Sequence, residues 1–144
     1  MPRRSLGATP REGSRTEVFS VRFILEKGAR GLVPGTIFDI AETELGSPAF
    51  AVPEGWVYSP KYIEVEGIPK LSASLRAVKN NKVVFEGRGF EINKIAEREG
   101  GLVEVASAPV LGPGDTFGIY LQIKEPVRTR CIEEVLVHMS ITPE

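Results

Sequence analysis

Apolar and polar residues alternate one for one along most of this chain, and glycine or proline interrupts the alternation every eight to twelve residues. Phe19, Val21, Phe23 and Leu25 alternate with Ser20, Arg22 and Ile24. Leu71, Ala73, Leu75 and Ala77 alternate with Ser72, Ser74 and Arg76, and Val135, Val137, Met139 and Ile141 with Leu136, His138 and Ser140. A period of two places alternate side chains on opposite faces of a β-strand, so each run describes a strand with one face in a core. The interruptions are too frequent to leave room for crossover helices, which excludes parallel βαβ architecture.

The remaining elements follow from the same reading. Thr36–Ala41 presents Ile37, Phe38 and Ile40 as a short strand, Tyr62–Glu66 is another, and Leu102–Val105 a third. Phe117, Ile119, Leu121 and Ile123 follow the corner Gly112-Pro113-Gly114-Asp115, and Cys131–Ile141 is the longest strand. Lys79-Asn80-Asn81-Lys82 joins two alternating runs, and asparagine tolerates the positive φ of a primed hairpin turn. Gly87 and Gly89 mark a bulge or bend in the returning strand. Asn93–Glu99 is the one helix candidate, with Asn93 as its cap. Eight or nine strands with at most one short helix predict an all-β fold, a β-sandwich or jelly-roll-like barrel.

At 144 residues, with 42% hydrophobic and 26% charged side chains, the chain holds one core and not two. Residues 1–16 stand apart. They carry Arg3, Arg4, Arg11 and Arg15 against Glu12, a net +3, and Leu6 is their one large apolar residue apart from Met1. The remainder therefore carries −4 of the overall −1. The expected organisation is an extended basic N-terminal arm over 1–16 and a single β-domain over 17–144.

Chemistry is scarce in this composition. One histidine and one cysteine cannot assemble a structural zinc site. His138 and Cys131, seven residues apart on one strand, point to opposite faces roughly 20 Å apart, too far for a nucleophile and base. No Gly-x-Ser-x-Gly elbow occurs. Glu64 with Glu66, and Glu133 with Glu134, are the carboxylate pairs available for glycosidase-like chemistry; solvated sheet surface explains the first as well. Gly112-Pro113-Gly114 precedes a strand, so no helix N-terminus receives a phosphate there. Arg88-Gly89-Phe90 matches a fragment of an RNA-binding motif, but Glu91 places a repelling charge beside it. No apolar run reaches the roughly 18 residues of a membrane span, and no apolar segment follows the N-terminal arginines as in a secretory signal. The expectation is a non-enzyme without cofactor, metal, membrane or specific nucleic-acid partner.

Recognition remains. Residues 43–60 read as a proline-punctuated apolar loop carrying Phe50, Trp56 and Tyr58, with Tyr62 just beyond. Three readings stay open for these aromatics: a cover over the end of the sandwich, an anchor for a protein partner, or a stacking platform for sugars.

A β-domain of this size, with a basic arm, one cysteine and no catalytic constellation, resembles the capsid decoration (cement) proteins of tailed bacteriophages, those of thermophilic phages above all. The resemblance is architectural, spans the arm and the domain, and assigns no residue a role by position. It implies a virion structural protein on the outer capsid surface, made in the host cytoplasm, a homotrimer that clamps neighbouring major capsid subunits. Proline-rich turns and few amide side chains are compatible with a heat-adapted source. A trimer would cover exposed strand edges and add buried area, and an arm laid on a neighbour would add avidity. On that reading the contacts come from Arg3, Arg4, Leu6, Arg11, Arg15, Phe50, Trp56 and Tyr58. The alternatives are a carbohydrate-binding or adhesin-like module using the aromatics of residues 50–62, and a carboxylate-pair hydrolase.

Overall fold

Crossing from one sheet to the other takes this chain a single residue, Gly35. In the structure, a computed structural model that describes residues 13–38 and 49–144, β1 (Arg15–Leu25) is followed by β2 (Gly31–Pro34) and then β3 (Thr36–Phe38). β2 belongs to one sheet and β3 to the other. A Cβ at Gly35 would collide with Val21 Cγ1 and approach Phe23 Cε1 to 2.8 Å. Only a residue without a side chain lets the strand pass over the core so closely.

The other elements are β4 (Ala49–Ala51), β5 (Trp56–Val65), β6 (Ser74–Lys79), β7 (Lys82–Glu91), α1 (Ile92–Glu97), β8 (Leu102–Glu104), β9 (Thr116–Ile123) and β10 (Cys131–Pro143). The first sheet has the order β3-β1-β10-β5-β8, and the second the order β2-β9-β6-β7, with β4 also paired to β9. Every strand pairing is antiparallel. The all-β sandwich expected from the alternation is present as two open sheets, without barrel closure. The described residues hold ten strands, above the eight or nine expected. The strands not read are β2 and β4; β4 and the first half of β5 lie in the stretch read as a loop over 43–60.

The alternation sorts side chains as read. Phe19, Val21, Phe23 and Leu25 of β1 and Val135, Val137, Met139 and Ile141 of β10 are buried, facing Leu75 and Ala77 of β6 and Phe117, Ile119, Leu121 and Ile123 of β9. Each large apolar side chain so buried stabilises the fold by about 1.5–3 kcal/mol. β1 and β10 pair over eleven residues, Arg15 opposite Ile141 to Leu25 opposite Cys131. β1 thus begins at Arg15, two residues before Glu17.

The β6–β7 hairpin turns at Asn80 (φ 50°) and Asn81 (φ 68°), the primed turn expected of that pair. Gly87 (φ 100°) opens the bulge foreseen in β7, where register moves from Arg76 opposite Glu86 to Ser74 opposite Glu91. The bulge brings Phe90 back onto Phe85, with centroids 4.7 Å apart. The helix occurs one residue earlier than read, and Asn93 does not cap it. Glu91 is the N-cap, and the Asn93 amide donates instead to Ser72 Oγ at 2.8 Å. The expected strand Thr36–Ala41 is described as far as Phe38; its remainder lies outside the described residues.

Candidate functional site

Strand directions give the sandwich two distinct ends. β1 starts, β10 finishes and β5 starts at one end, together with the Lys79–Lys82 hairpin. The loops after β1, β5 and β9, with α1, gather at the other.

The aromatic residues expected to form one exposed loop are divided at the first end. Tyr58 is 6% exposed and stacks on Phe19 at 5.9 Å between centroids. Phe50 lies 5.5 Å from Phe19, 5.9 Å from Tyr58 and 6.3 Å from Phe117. Tyr58 is therefore a core side chain and Phe50 a half-buried one packed against the core, so neither stands on an exposed loop. Strand parity explains it: Tyr58 shares its face with Ile63 and Val65 once the β5–β10 bulge at His138/Met139 is counted. Trp56 is half-buried at the mouth between the sheets. The Arg15 guanidinium stands 5.0 Å over its ring, and Gly13 lies against it. Arg15 also pairs with Glu17. The structure thus joins one arm residue, Arg15, to one aromatic, Trp56. Arg3, Arg4, Leu6 and Arg11 lie outside the described residues.

At the opposite end a groove of about 650 Å³ runs between the loop after β5, α1 and the loop after β9. Lys70, Ser72, Asn93, Lys124, Arg128 and Cys131 are among its lining residues, and none of the lining is aromatic. Cys131 is half-buried; burial first, and then the Glu133 charge, push its thiol up from the ordinary cysteine range, with Lys70 opposing. A raised thiol is a weak nucleophile.

The carboxylates offered as pairs are separated by the same parity. Glu133 points inward, 5% exposed, and accepts the Lys70 amide at 2.9 Å. Glu134 points outward, accepts the Ser20 hydroxyl and lies 3.8 Å from the Arg22 guanidinium. Glu64 is bonded to His138 Nε2 at 2.8 Å, while Glu66 is exposed. The His138–Glu64 pair was not read from sequence, because it needs the pairing of β5 with β10. Among the described residues, no three His, Cys, Asp or Glu side chains come together to hold a metal, and no helix is long and apolar enough to cross a membrane.

The surface that stands out is the outer face of the first sheet. Register sets its rows: Ile24 opposite Ile132, Arg22 opposite Glu134, then Ser20, Leu136, Glu64 and Leu102, then Val18, His138, Tyr62 and Glu104. Val18, Ile24, Tyr62 and Ile132 remain 40–49% exposed, with Leu136 and Leu102 half-buried between them. They stand in two sets on one open face, Ile24 opposite Ile132 at one end and Val18 and Tyr62 flanking His138 at the other, unlike apolar residues scattered singly. No protein-family model matches the chain, and a search of curated proteins finds no relative.

Proposed function

We propose that this protein is a virion structural protein that binds the outer surface of a capsid shell as a homotrimer and clamps neighbouring major capsid subunits. The observation that supports it is the outer face of the first sheet. Its back is fully packed by the core, yet its front keeps Val18, Ile24, Tyr62 and Ile132 exposed around a framework of ion pairs and hydrogen bonds. Exposed apolar side chains flanking polar groups that already have partners leave surface available for protein contact. The rigid backing means that such a face docks without reordering. A sugar-binding reading is less well served. With Tyr58 in the core and Phe50 half-buried against it, the platform is reduced to Trp56, whose ring already carries Arg15.

The test is a mass measurement followed by a binding assay. Analytical ultracentrifugation should give three chains per particle, and the protein should co-sediment with emptied, expanded capsids. A monodisperse monomer that stays in the supernatant overturns the proposal.

A further inference from the structure

We infer that the outer face of the first sheet is the docking site for the basic N-terminal segment, residues 1–12, of a neighbouring copy. This rests on the oligomeric part of the proposed function and names the contact that would build it.

Charge points to that occupant. The face and its rim present Glu64, Glu66, Glu104 and Glu134 against Arg22 and Lys61, a net −2. Among the described residues, Glu66 and Glu104 have no ion-pair partner, whereas Glu64 and Glu134 are engaged by His138 and by Ser20 and Arg22. Residues 1–12 carry Arg3, Arg4 and Arg11 against Glu12, a net +2. A second copy of the face itself would set carboxylate against carboxylate; the segment sets arginine against it. The exposed Val18, Ile24, Tyr62 and Ile132 offer apolar surface for Leu6 between those charges.

Length and point of departure agree. Twelve extended residues span up to about 40 Å. The face is about 27 Å long, eight residues of β10 at roughly 3.3 Å each. The described chain begins at Gly13 (φ 87°), whose open side meets Trp56 at 3.4 Å and Pro143 at 3.7 Å. Trp56 packs on the core, so Gly13, the residue that follows the segment, lies at the mouth between the sheets and not on the outer face. Donor segment and acceptor face are different surfaces, which makes the contact heterologous. Such contacts close into rings, two copies by reciprocal exchange or three and more by passing the segment onward, and the three-copy ring is the one that the proposed function calls for.

Charge reversal in the full-length chain tests this. E66K/E104K reverses the face, at two exposed positions, and R3E/R4E reverses the segment. Each variant alone should associate roughly tenfold or more weakly than the parent by analytical ultracentrifugation. One chain carrying all four substitutions should recover association, since every copy then offers the charge its neighbour needs. Variants that keep the parental mass overturn the inference. So does one chain carrying all four substitutions that stays dissociated, or that recovers only as a monomer with a protected segment. A trimer indifferent to both reversals sinks this contact and leaves the trimeric reading standing. Association that obeys the reversals at another stoichiometry does the opposite.

Discussion

Asn80 donates its side-chain amide to Asp115 Oδ1 at 3.0 Å, tying the tip of the β6–β7 hairpin to the corner that starts β9. The same side chain accepts the Thr116 amide at 2.9 Å, while the Asn80 amide donates to the Thr116 carbonyl at 3.0 Å. Asp115 in turn accepts the Gly112 amide at 2.8 Å and lies 3.7 Å from Lys79. The Asn80 hydrogen bond, then the Gly112 amide, hold its carboxyl below the ordinary aspartate range, and the Lys79 charge adds to this. Asn80→Gly keeps the positive φ and loses the side-chain bonds; Asn80→Ala loses both. Urea unfolding should place the glycine variant about 1 kcal/mol below the parent and the alanine variant about 2 kcal/mol below. The depressed carboxyl fixes the sign of the pH effect. Its contribution is present above the unfolded-state value of about 4 and is lost as pH falls through the lower folded value. The stability gap between the parent and Asp115→Asn should therefore narrow on acidification below about pH 4. A gap that widens in acid contradicts the assignment.

Gly35 makes a second prediction through Val21. Gly35→Ala drives its methyl into Val21 Cγ1 and Phe23, both fully buried, and overpacking of this kind costs about 1–3 kcal/mol. Val21→Ala alone leaves a cavity but removes the collision. The double variant should thus be more stable than the sum of the two losses, by a coupling of about 1 kcal/mol in thermal unfolding. Strict additivity would mean that the chain crosses between the sheets with slack to spare.

The division of the aromatics is measurable in the same way. Tyr58→Ala removes a ring stacked on Phe19 inside the core and should cost about 3–5 kcal/mol. Trp56→Ala removes a half-buried ring at the mouth and should cost less than half of that. Equal and small losses at both positions would restore the reading of an exposed platform.

What alternation could and could not reveal is clear from these residues. Phe19 to Leu25 and Val135 to Ile141 announced their inward face, because a period of two leaves one solution when one side is buried. The Asn80-Asn81 turn was legible because its backbone demands a rare φ. Tyr58 was not, for its parity depends on a bulge opposite His138/Met139 that no local pattern marks. Nor was the need for glycine at Gly35, since the collision that requires it comes from Val21 and Phe23 on another strand. The candidate docking face was hidden for the same reason. Ile24 and Ile132 lie 108 positions apart and become neighbours only through the β1–β10 register. Local order is written along the chain, whereas a face is written across it.

Cys131 gives the last prediction. Its side chain is half-buried at the end of β10, two residues from the inward Glu133 carboxylate that holds the Lys70 amide. Burial and that negative charge both disfavour the thiolate, and the nearby Lys70 charge only partly offsets them. Because the thiolate is the reacting form, labelling by a thiol reagent at neutral pH should run slower than for an unstructured cysteine peptide. The rate should keep climbing with pH beyond the point where the peptide has levelled off, and urea should abolish the difference. Glu133→Gln removes the charge while keeping an acceptor for the Lys70 amide. It should speed labelling without loosening the loop after β5, which proteolysis of that loop would reveal. A rate unchanged by Glu133→Gln would leave burial as the whole cause; labelling as fast as the free peptide would contradict both.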